Sequence, residues 1–303
     1  MAVFPVGGGP VLATGGKGQL ASSLAALGGA RIHVTGRPEF DFERPETIAQ
    51  VIERVRPAAV VNAAAWTAVD LAETEQAGAE AANSTGPAVL AGICAGLDIP
   101  FIHVSTDYVF SGDKHAPYVE TDPVSPVTVY GRTKAEGEQK VLAADPDAII
   151  LRTAWVYSAH GKNFVRTMIG AGAKNPQLKV VGDQRGNPTS SDDLARAILA
   201  ILDLIEKDGW KAEYAGIFHA CGTGEATWHE LAVEALRNAA LHGQAMPEVA
   251  AIRTEDWPTP AKRPADSRMD NGKLARVFGV RMPRWQDSVK RTVDTLFGER
   301  GGV

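Results

Sequence analysis

Tyr130 and Lys134 stand four residues apart in the stretch YGRTKAEGEQ, residues 130–139. On an α-helix, residues i and i+4 lie on one face a turn apart, so a lysine ammonium could act on a tyrosine phenol there. A free tyrosine titrates near pH ~10, and a neighbouring cation favours the phenolate, which predicts a lower pKa for Tyr130. The pair is therefore a candidate for proton transfer. The spacing alone equally suits a half-buried tyrosine and a solvated lysine.

A second polar stretch, STDYVFSG at residues 105–112, follows a predicted strand at 99–105. Open parallel sheets bind ligands beyond the carboxyl ends of their strands, which is where this stretch begins. Thr106 offers a hydroxyl to a carbonyl oxygen, and Tyr130 on the next helix can supply or remove a proton. A threonine that only caps the end of a strand is the alternative.

The stretch TGGKGQLA, residues 14–21, follows the first predicted strand and opens a helix, with Gly15, Gly18 and Ala21 in G-x-x-G-x-x-A spacing. A tight turn needs positive φ, close approach to a pyrophosphate excludes side chains, and helix–strand packing favours a small third residue. The unpaired N–H groups of the helix N-terminus attract phosphate. This pattern predicts a dinucleotide-binding turn.

Two further segments extend the predicted cofactor site. The segment NAAAWTAVD places Ala63, Ala64 and Ala65 at the end of the third strand, where a cofactor could lie against the backbone, although tight packing also explains them. Arg37 follows the second strand, about twenty residues after the first glycine, at the position that reads the adenosine ribose. Arginine suits a 2′-phosphate, so NADPH is expected over NADH, which stays open as a second cofactor.

The preference for NADPH is expected to be modest because the charges involved lie on an exposed rim. Lys17, in the glycine turn, adds a second positive charge nearby. The alternative reader of the ribose is Asp41, whose carboxylate would accept hydrogen bonds from the ribose hydroxyls.

Short β-rich segments alternate with helix-like stretches, which is typical of βαβ units. The predicted strands are 11–14, 31–35, 58–63, 99–105 and 148–153, with one more at 216–222. The fold class is thus α/β, a doubly wound parallel (Rossmann) sheet with a smaller C-terminal substrate-binding lobe. Residues 1–156 plus about 188–220 form the predicted Rossmann domain, and about 157–187 plus 221–303 form the lobe. Thr227 and Glu230 have capping-box spacing, and the proline-rich segment 256–267 predicts irregular structure.

Composition limits the classes of function. The chain has 303 residues, 22% of them charged, and a net charge of −5, which offers no general attraction to nucleic acid or to an anionic membrane. No apolar run has the length of a membrane span, and no leader pattern opens the sequence, so a cytoplasmic protein is expected. Cys94 and Cys221 show no metal-ligand spacing and are expected to be buried apolar residues.

Together, the glycine turn, NAAA, STD and YxxxK, in that order, resemble the extended short-chain dehydrogenase/reductases. Longer blocks, namely AAAWTAVDLAE, STDYVFSG, YGRTKAEGE, LRTAWVYS, GDQRGNPT and PTPAKRP, are similar to those of the dTDP-4-dehydrorhamnose reductases. The resemblance covers roughly residues 11–295. Ala21 departs from it, because a glycine is commoner at that position.

This resemblance implies a reaction and a set of roles. NADPH would deliver hydride to the C4 ketone of dTDP-4-dehydro-L-rhamnose, while Tyr130 acts as the general acid, Thr106 holds the carbonyl oxygen and Lys134 also contacts the nicotinamide ribose. The implied cofactor residues are Gly15, Lys17, Gly18, Gln19, Leu20, Arg37, Ala63, Ala64, Ala65, Tyr130 and Lys134, with Asp41 and Phe42 beside the adenine. The implied substrate residues are Thr106, Asp107, Tyr108 and Trp155, which face the sugar, and Asn163, Gln184 and Arg263, the last suited to a diphosphate.

Several alternatives stay open on the sequence. A reductase for another nucleotide-linked 4-ketosugar, or an epimerase, would keep the same triad and glycine turn. A non-catalytic subunit similar to the regulatory subunit of methionine adenosyltransferase would use the scaffold to bind a partner enzyme. Some relatives form homodimers or use Mg²⁺, but no residue set here identifies an interface or a metal site.

Overall fold

Six parallel strands form the central sheet of the structure, a computed structural model that describes residues 8–300. They are β1 (Val11–Thr14), β2 (Ile32–Thr35), β3 (Ala59–Asn62), β4 (Phe101–Thr106), β5 (Ile149–Thr153) and β10 (Gly216–His219). Their order is β10-β5-β4-β3-β1-β2, and every neighbouring pair is parallel. The chain runs from β1 to one edge and then returns to build the other side, so the predicted doubly wound sheet is confirmed.

Helices cover both faces of this sheet. They are α1 (Gln19–Gly28), α2 (Pro45–Val55), α3 (Val69–Ala72), α4 (Gln76–Glu80), α5 (Gly86–Gly96), α6 (Val129–Ala144) and α8 (Ser191–Asp208). Side chains alternate along a strand, so Val11 and Ala13 pack with α1 and α8, whereas Leu12 packs with α2, α5 and α6. Burial on both faces explains why these strands are continuous apolar runs.

The remaining elements build a smaller lobe beside the carboxyl edge. Its short paired strands are β6 (Val156–Tyr157) with β9 (Thr189–Ser190), β7 (Gln177–Val181) with β12 (Glu248–Ile252), and β8 (Arg185–Gly186) with β11 (Ala226–Thr227). Its helices are α7 (Phe164–Gly172), α9 (Trp228–Leu241) and α11 (Trp285–Arg300), which share a core of their own. Helix α9 begins with the predicted capping box, since Thr227 Oγ1 accepts the Glu230 N–H at 3.1 Å and Glu230 Oε2 accepts the Thr227 N–H at 2.7 Å.

One helix of the predicted lobe packs with the sheet instead. Helix α10 (Gly272–Phe278) places Leu274 and Phe278, one turn apart, in the same core as Leu194 and Tyr214, together with Met282. Segment 272–282 therefore belongs with the Rossmann core, because its apolar side chains complete the layer beside β10. The other domain limits stay predictions, and the ends at residues 1 and 303 lie outside the described residues.

Two further observations concern predicted segments. Residues 257–267 contain no helix and only an isolated bridge at Asp266, in keeping with their proline content. Within residues 8–300, none of the helices has the length and apolar character needed to cross a membrane.

Candidate active site

A cleft of about 1150 Å³ opens along the carboxyl ends of the strands and continues against the lobe. Its walls are the turn after β1, the ends of β2 to β5, the first turns of α6, and lobe residues around 155 and 162. The predicted site residues that line it are Gly15, Lys17, Gly18, Gln19, Leu20, Arg37, Phe42, Ala63, Ala64, Ala65, Thr106, Asp107, Tyr108, Tyr130, Lys134, Trp155 and Asn163. Asp41, Gln184 and Arg263 are not part of this lining.

Thr106 and Tyr130 meet where β4 ends and α6 begins. Thr128 caps α6 by accepting the Gly131 N–H at 2.9 Å, which fixes Tyr130 in the first helical turn. The ring of Tyr108 contacts that of Tyr130 edge to face at 5.4 Å between centroids. Burial raises the pKa of Tyr130 to about 12, and a hydrogen bond with Thr106 offsets part of this rise. The expected lowering of this pKa by Lys134 is therefore wrong, because desolvation of the phenolate dominates.

Lys134 is buried and points at β4. Its Nζ donates to the Val104 carbonyl at 2.6 Å and lies 3.3 Å from His103 Nε2. Burial lowers the pKa of Lys134 to about 8, against the opposing attraction of Glu138 one turn further along α6. This lysine can therefore exchange a proton near neutral pH, which the sequence did not predict.

Asp107 is fully buried behind Thr106. Its Oδ1 accepts the Thr106 hydroxyl at 3.0 Å and its Oδ2 accepts the Ser267 hydroxyl at 2.5 Å. The Thr106 oxygen in turn accepts the Tyr108 N–H at 3.2 Å. Burial raises the pKa of Asp107 to about 6, although these hydrogen bonds oppose the rise. Asp107 thus orients Thr106 and joins the end of β4 to the lobe, while its predicted contact with the sugar stays a prediction.

This buried carboxyl makes a prediction for stability. Because folding raises the pKa of Asp107 from 3.8 to about 6, its protonated form stabilises the fold fully below about pH 4, and this contribution is lost as the pH rises through about 6. The difference corresponds to as much as about 3 kcal/mol. Asp107→Asn should therefore gain stability relative to wild type on going from about pH 4 to about pH 7.5, as measured by urea unfolding. The exposed Asp287→Asn should show no such gain, and an identical pH dependence in Asp107→Asn and wild type would contradict the prediction.

The turn after β1 has the form that a dinucleotide requires. Gly15 has φ 107°, and a Cβ there would lie 3.0 Å from the Ala63 carbonyl oxygen, while a Cβ on Gly36 would lie 2.8 Å from Gly16 Cα. Three backbone segments thus approach one another without side chains between them. The side-chain oxygen of Gln19, at the start of α1, is buried without a partner. Because this oxygen can only accept, it suits a hydroxyl group; the bare turn and the unpaired backbone N–H groups at the N-terminus of α1 are what fit a pyrophosphate.

Arg37 and Asp41 bind each other rather than competing for one ligand. Arg37 lines the cleft, and its guanidinium lies 3.3 Å from Asp41 Oδ1 and 3.2 Å from Glu43 Oε1. Asp41 also faces Arg44 at 3.6 Å. Asp41 is not part of the cleft lining, and its carboxylate faces Arg37, which lines the cleft, and Arg44, which does not; its contact with the ribose or the adenine stays a prediction.

Three residues predicted on the substrate side have protein partners in the structure, and their contacts with the substrate stay predictions. The Arg263 guanidinium pairs with both oxygens of the Asp70 carboxylate at 2.8 and 3.1 Å, so a diphosphate would have to compete with Asp70 for it. Gln184 accepts the Trp228 indole N–H at 3.1 Å and donates to Thr254 at 3.0 Å. Asn163 lines the cleft, but its amide caps α7 and donates to the Ser158 carbonyl.

Trp155 is fixed rather than free to fold over a ligand. Its ring stacks on Trp228 with centroids 3.7 Å apart and planes 6° from parallel. A Cβ on Gly186 would lie 2.5 Å from the indole of Trp155, and the backbone of Trp155 has φ 48°. Trp228 covers one face of the Trp155 ring, so a sugar could stack only on the part of the Trp155 ring that Trp228 leaves uncovered.

Four residues of the site were missed from the sequence. Trp228 and Lys162 line the cleft from the lobe, and His103 contacts Lys134 from β4. Asn83 joins the end of β3 to α6, since its amide bonds the Trp66 backbone and donates to Thr133 at 3.1 Å. The capping box before Trp228 placed it at the start of a helix, but no local pattern shows which helix faces the cleft.

Two glycines let the catalytic helix approach its neighbours. A Cβ on Gly131 would lie 2.1 Å from the Tyr108 carbonyl oxygen, and one on Gly137 would lie 2.0 Å from that of Asn83. Both obstacles are backbone atoms, so they cannot turn aside as a side chain would. Gly131 therefore sets the distance between α6 and the segment after β4, and Gly137 the distance between α6 and the helical segment Ala81–Thr85.

We expect Gly131→Ala to lower both stability and turnover. The new methyl group forces α6 away from Tyr108, and overpacking of this kind costs about 1–3 kcal/mol. Gly170→Ala is the matched control, because Gly170 is also helical and a Cβ there meets nothing within 4 Å. Thermal unfolding and steady-state kinetics of the two variants check this. Equal behaviour of both would show that α6 tolerates the displacement.

Among residues 8–300 there is no group of three or more histidine, cysteine, aspartate or glutamate side chains arranged to hold a metal ion. Cys94 and Cys221 are both buried and unpaired by a disulfide, as the sequence predicted.

Comparison with known proteins gives matches over nearly the whole chain. Residues 9–297 match the family model described as RmlD substrate binding domain. A dTDP-4-dehydrorhamnose reductase of Sinorhizobium fredii is 43% identical over 94% of this chain and 97% of its own. A probable dTDP-4,6-dihydroxy-2-methyloxan-3-one 4-ketoreductase of Streptomyces antibioticus is 42% identical over 92% of each. The crystal structure of a Bacillus anthracis dTDP-4-dehydrorhamnose reductase in complex with NADP has a TM-score of 0.86, with 30% identity over 95% of this chain and 99% of that one.

Proposed function

The chain belongs to the RmlD family of dTDP-4-dehydrorhamnose reductases, and on this premise we propose that it reduces the C4 ketone of dTDP-4-dehydro-L-rhamnose to dTDP-L-rhamnose with NADPH. The observation that carries the proposal is the meeting of Thr106, Tyr130 and Lys134 in the cleft that the glycine turn also lines. A carbonyl seated there has a hydroxyl, a phenol and a buried lysine at one end and the predicted cofactor floor at the other.

NADPH supplies the hydride when it is bound. The side-chain-free turn at Gly15, with the N-terminus of α1, holds the pyrophosphate in this proposal, and Arg37 with Lys17 faces the 2′-phosphate. The backbone at Ala63 to Ala65 forms the floor. Lys162 of the lobe lines the same cleft and adds a third positive charge to its lining.

The residues of the chain provide the proton and the orientation. Asp107 and the Tyr108 N–H hold the Thr106 oxygen in place; its single hydrogen is donated to Asp107 in the structure and turns to the substrate oxygen in this proposal. Tyr130 keeps its proton at neutral pH because burial raises its pKa to about 12, so the phenol is present as the acid that reduction requires. Lys134, whose pKa is lowered to about 8, can replace the proton that Tyr130 gives away.

The test is oxidation of NADPH by the purified protein with dTDP-4-dehydro-L-rhamnose, compared with UDP- and GDP-linked 4-ketosugars. The dTDP-linked sugar should give the highest kcat/KM. Equal turnover of a UDP-linked sugar would count against dTDP specificity. Absence of turnover with every sugar, together with a stable complex with a second enzyme, would support the regulatory-subunit alternative instead.

A second candidate is a reductase for a different dTDP-linked 4-ketosugar. It is favoured by the 42% identity with the Streptomyces antibioticus ketoreductase, which is close to the 43% identity with the Sinorhizobium fredii enzyme. The same chemistry at C4 would serve both substrates. The two candidate functions are separated by a competition assay between dTDP-4-dehydro-L-rhamnose and a dTDP-4-ketosugar that differs elsewhere on the ring, since the true substrate should have the higher kcat/KM.

The cofactor preference gives a further prediction. Arg37→Ala should lower kcat/KM with NADPH by about two- to fivefold and leave NADH nearly unchanged, because exposed charge pairs contribute little and Asp41 and Glu43 already share this arginine. Arg44→Ala is the control, since Arg44 also faces Asp41 but lies outside the cleft lining. Equal losses of kcat/KM with both cofactors would show that Arg37 does not bind the 2′-phosphate.

Two properties stay proposals. A homodimer is proposed by analogy with relatives, and sedimentation velocity on the purified protein checks it. Location in the cytoplasm is proposed from the substrate class, because nucleotide sugars and NADPH are made there, and fractionation of the source cells tests it.

A further inference from the structure

A row of four buried polar side chains runs beneath the cleft from β1 to the catalytic lysine. Thr14 Oγ1 lies 2.6 Å from Asn62 Oδ1, and Asn62 Nδ2 lies 2.9 Å from His103 Nδ1. His103 Nε2 lies 3.3 Å from Lys134 Nζ, which donates to the Val104 carbonyl at 2.6 Å. All four side chains are at most 1% exposed, so water cannot substitute for any of these partners.

The direction of each hydrogen bond in this row follows from one backbone group. The Ala64 N–H, which can only donate, lies 3.1 Å from Thr14 Oγ1 and 3.2 Å from Asn62 Oδ1; an NH₂ group in the place of Oδ1 would face this donor, so the amide oxygen lies on the side of Thr14. The NH₂ of Asn62 therefore faces His103 and donates to Nδ1. A neutral imidazole that accepts at Nδ1 carries its hydrogen on Nε2, the atom nearest Lys134.

We propose that His103 is a positioning residue for Lys134, fixed by Asn62 as the Nε2–H tautomer so that its N–H faces the lysine nitrogen and favours the amine over the ammonium. An ammonium has no lone pair to accept this N–H, whereas an amine accepts it and still donates to the Val104 carbonyl. The consequence is a lysine that gives up a proton near working pH. The proposal rests on the catalytic role proposed for Lys134.

The surroundings of the two groups agree with this direction. Burial, and then the charge of Lys134, hold the pKa of His103 well below its usual range, so its imidazole is neutral. Burial lowers the pKa of Lys134 to about 8. The charged and titratable groups buried or half-buried on the inner side of the elements around Lys134 are His103 on β4, Asp107 and Tyr108 after β4, Tyr130 and Glu138 on α6, and Arg152 on β5, whereas Arg132, Glu136 and Lys140 of α6 are solvent-accessible. Of these, Glu138 favours the ammonium, but Arg152 pairs with it at 2.6 Å.

The first measurement reads the tautomer without any turnover. In protein labelled with ¹⁵N-histidine, the His103 resonances are assigned by their loss in His103→Gln, and their shifts and couplings report which ring nitrogen carries the hydrogen. We expect Nε2–H in wild type across neutral pH. Asn62→Asp is the matched inverse, because it keeps the acceptor for Thr14 and Ala64 but replaces the NH₂ with an acceptor, so Nδ1–H is expected there. An Nδ1–H tautomer or an imidazolium in wild type overturns the proposal.

The second measurement reads the effect on Lys134. The ¹³Cε shift of this lysine, assigned by its loss in Lys134→Met, is titrated without substrate. Asn62→Asp should raise the pKa of Lys134 by about one pH unit or more, since Nε2 then accepts from the ammonium. The new charge at 62 is controlled by making the same change in a His103→Phe background, or His103→Leu should the first not fold. A rise in the pKa of Lys134 that occurs with His103 present and is absent in the His103→Phe or His103→Leu background supports the proposal. No rise, or an equal rise in the background that lacks the imidazole, overturns it.

Neither measurement depends on reductase activity. A protein that reduces none of the ketosugars but shows the expected tautomers would refute the proposed function and leave the His103 assignment standing. An active reductase with the opposite tautomer would do the reverse.

Discussion

Tyr130→Phe is expected to lower kcat by about 10²- to 10⁴-fold, the usual loss when a general acid is removed. The phenol is the group in the cleft that holds a proton at neutral pH beside Thr106, since burial raises its pKa to about 12. The affinity for NADPH should change little, because the nucleotide contacts proposed above are the glycine turn and the floor at Ala63. Stopped-flow reduction and NADPH titration by fluorescence measure the two properties separately.

Tyr214→Phe is the control for this experiment. Tyr214 is also a buried tyrosine, but it lies in the core beside α8 and Phe278 rather than in the cleft. Its hydroxyl can be removed without touching the site, so kcat should stay within about twofold of wild type, in line with the small effects of changes away from functional groups. Near-normal turnover in Tyr130→Phe would transfer the acid role to another group, for which Tyr108 is the neighbour to examine.

Lys134→Met should lower kcat by a similar factor and, unlike Tyr130→Phe, also weaken NADPH binding. Hydrogen bonds to charged groups contribute about 1.5–3 kcal/mol, which corresponds to about 10- to 100-fold in Kd if this lysine holds the nicotinamide ribose. The side chain is buried against Val104 and His103, and methionine keeps most of its volume there. Isothermal titration with NADPH and the kinetics above separate the two losses.

Lys140→Met gives the matched control, because it lies on the same helix with an exposed ammonium 4.0 Å from Glu80. It should leave both kcat and Kd unchanged. A Lys134→Met protein that binds NADPH as tightly as wild type would remove the ribose role and leave only proton transfer. One that also keeps its kcat would remove Lys134 from the mechanism altogether.

Local sequence determined the elements and their ends. The inner strands β1, β3, β4 and β5 were predictable because burial on both faces makes them largely apolar, whereas the edge strands β2 and β10 are only partly buried. The capping box at Thr227 was predictable because its two hydrogen bonds span three residues. The turn at Gly15 was predictable because its positive φ excludes most other residues. In each case the cause lies within a few neighbouring residues, so the sequence alone is enough to predict the element.

Only the tertiary structure decided which polar groups were already engaged. Arg263 is paired with Asp70, which is 193 residues away, and Gln184 with Trp228, which is 44 residues away, and no local pattern in their blocks shows these partners. The pKa of Tyr130 is raised where its lysine neighbour predicted a fall, because the phenol is buried and the Lys134 ammonium bonds the Val104 carbonyl beside His103. Residue type and spacing show what a side chain can do. Desolvation and the choice of partner depend on segments that meet only after folding, so they decide what it does.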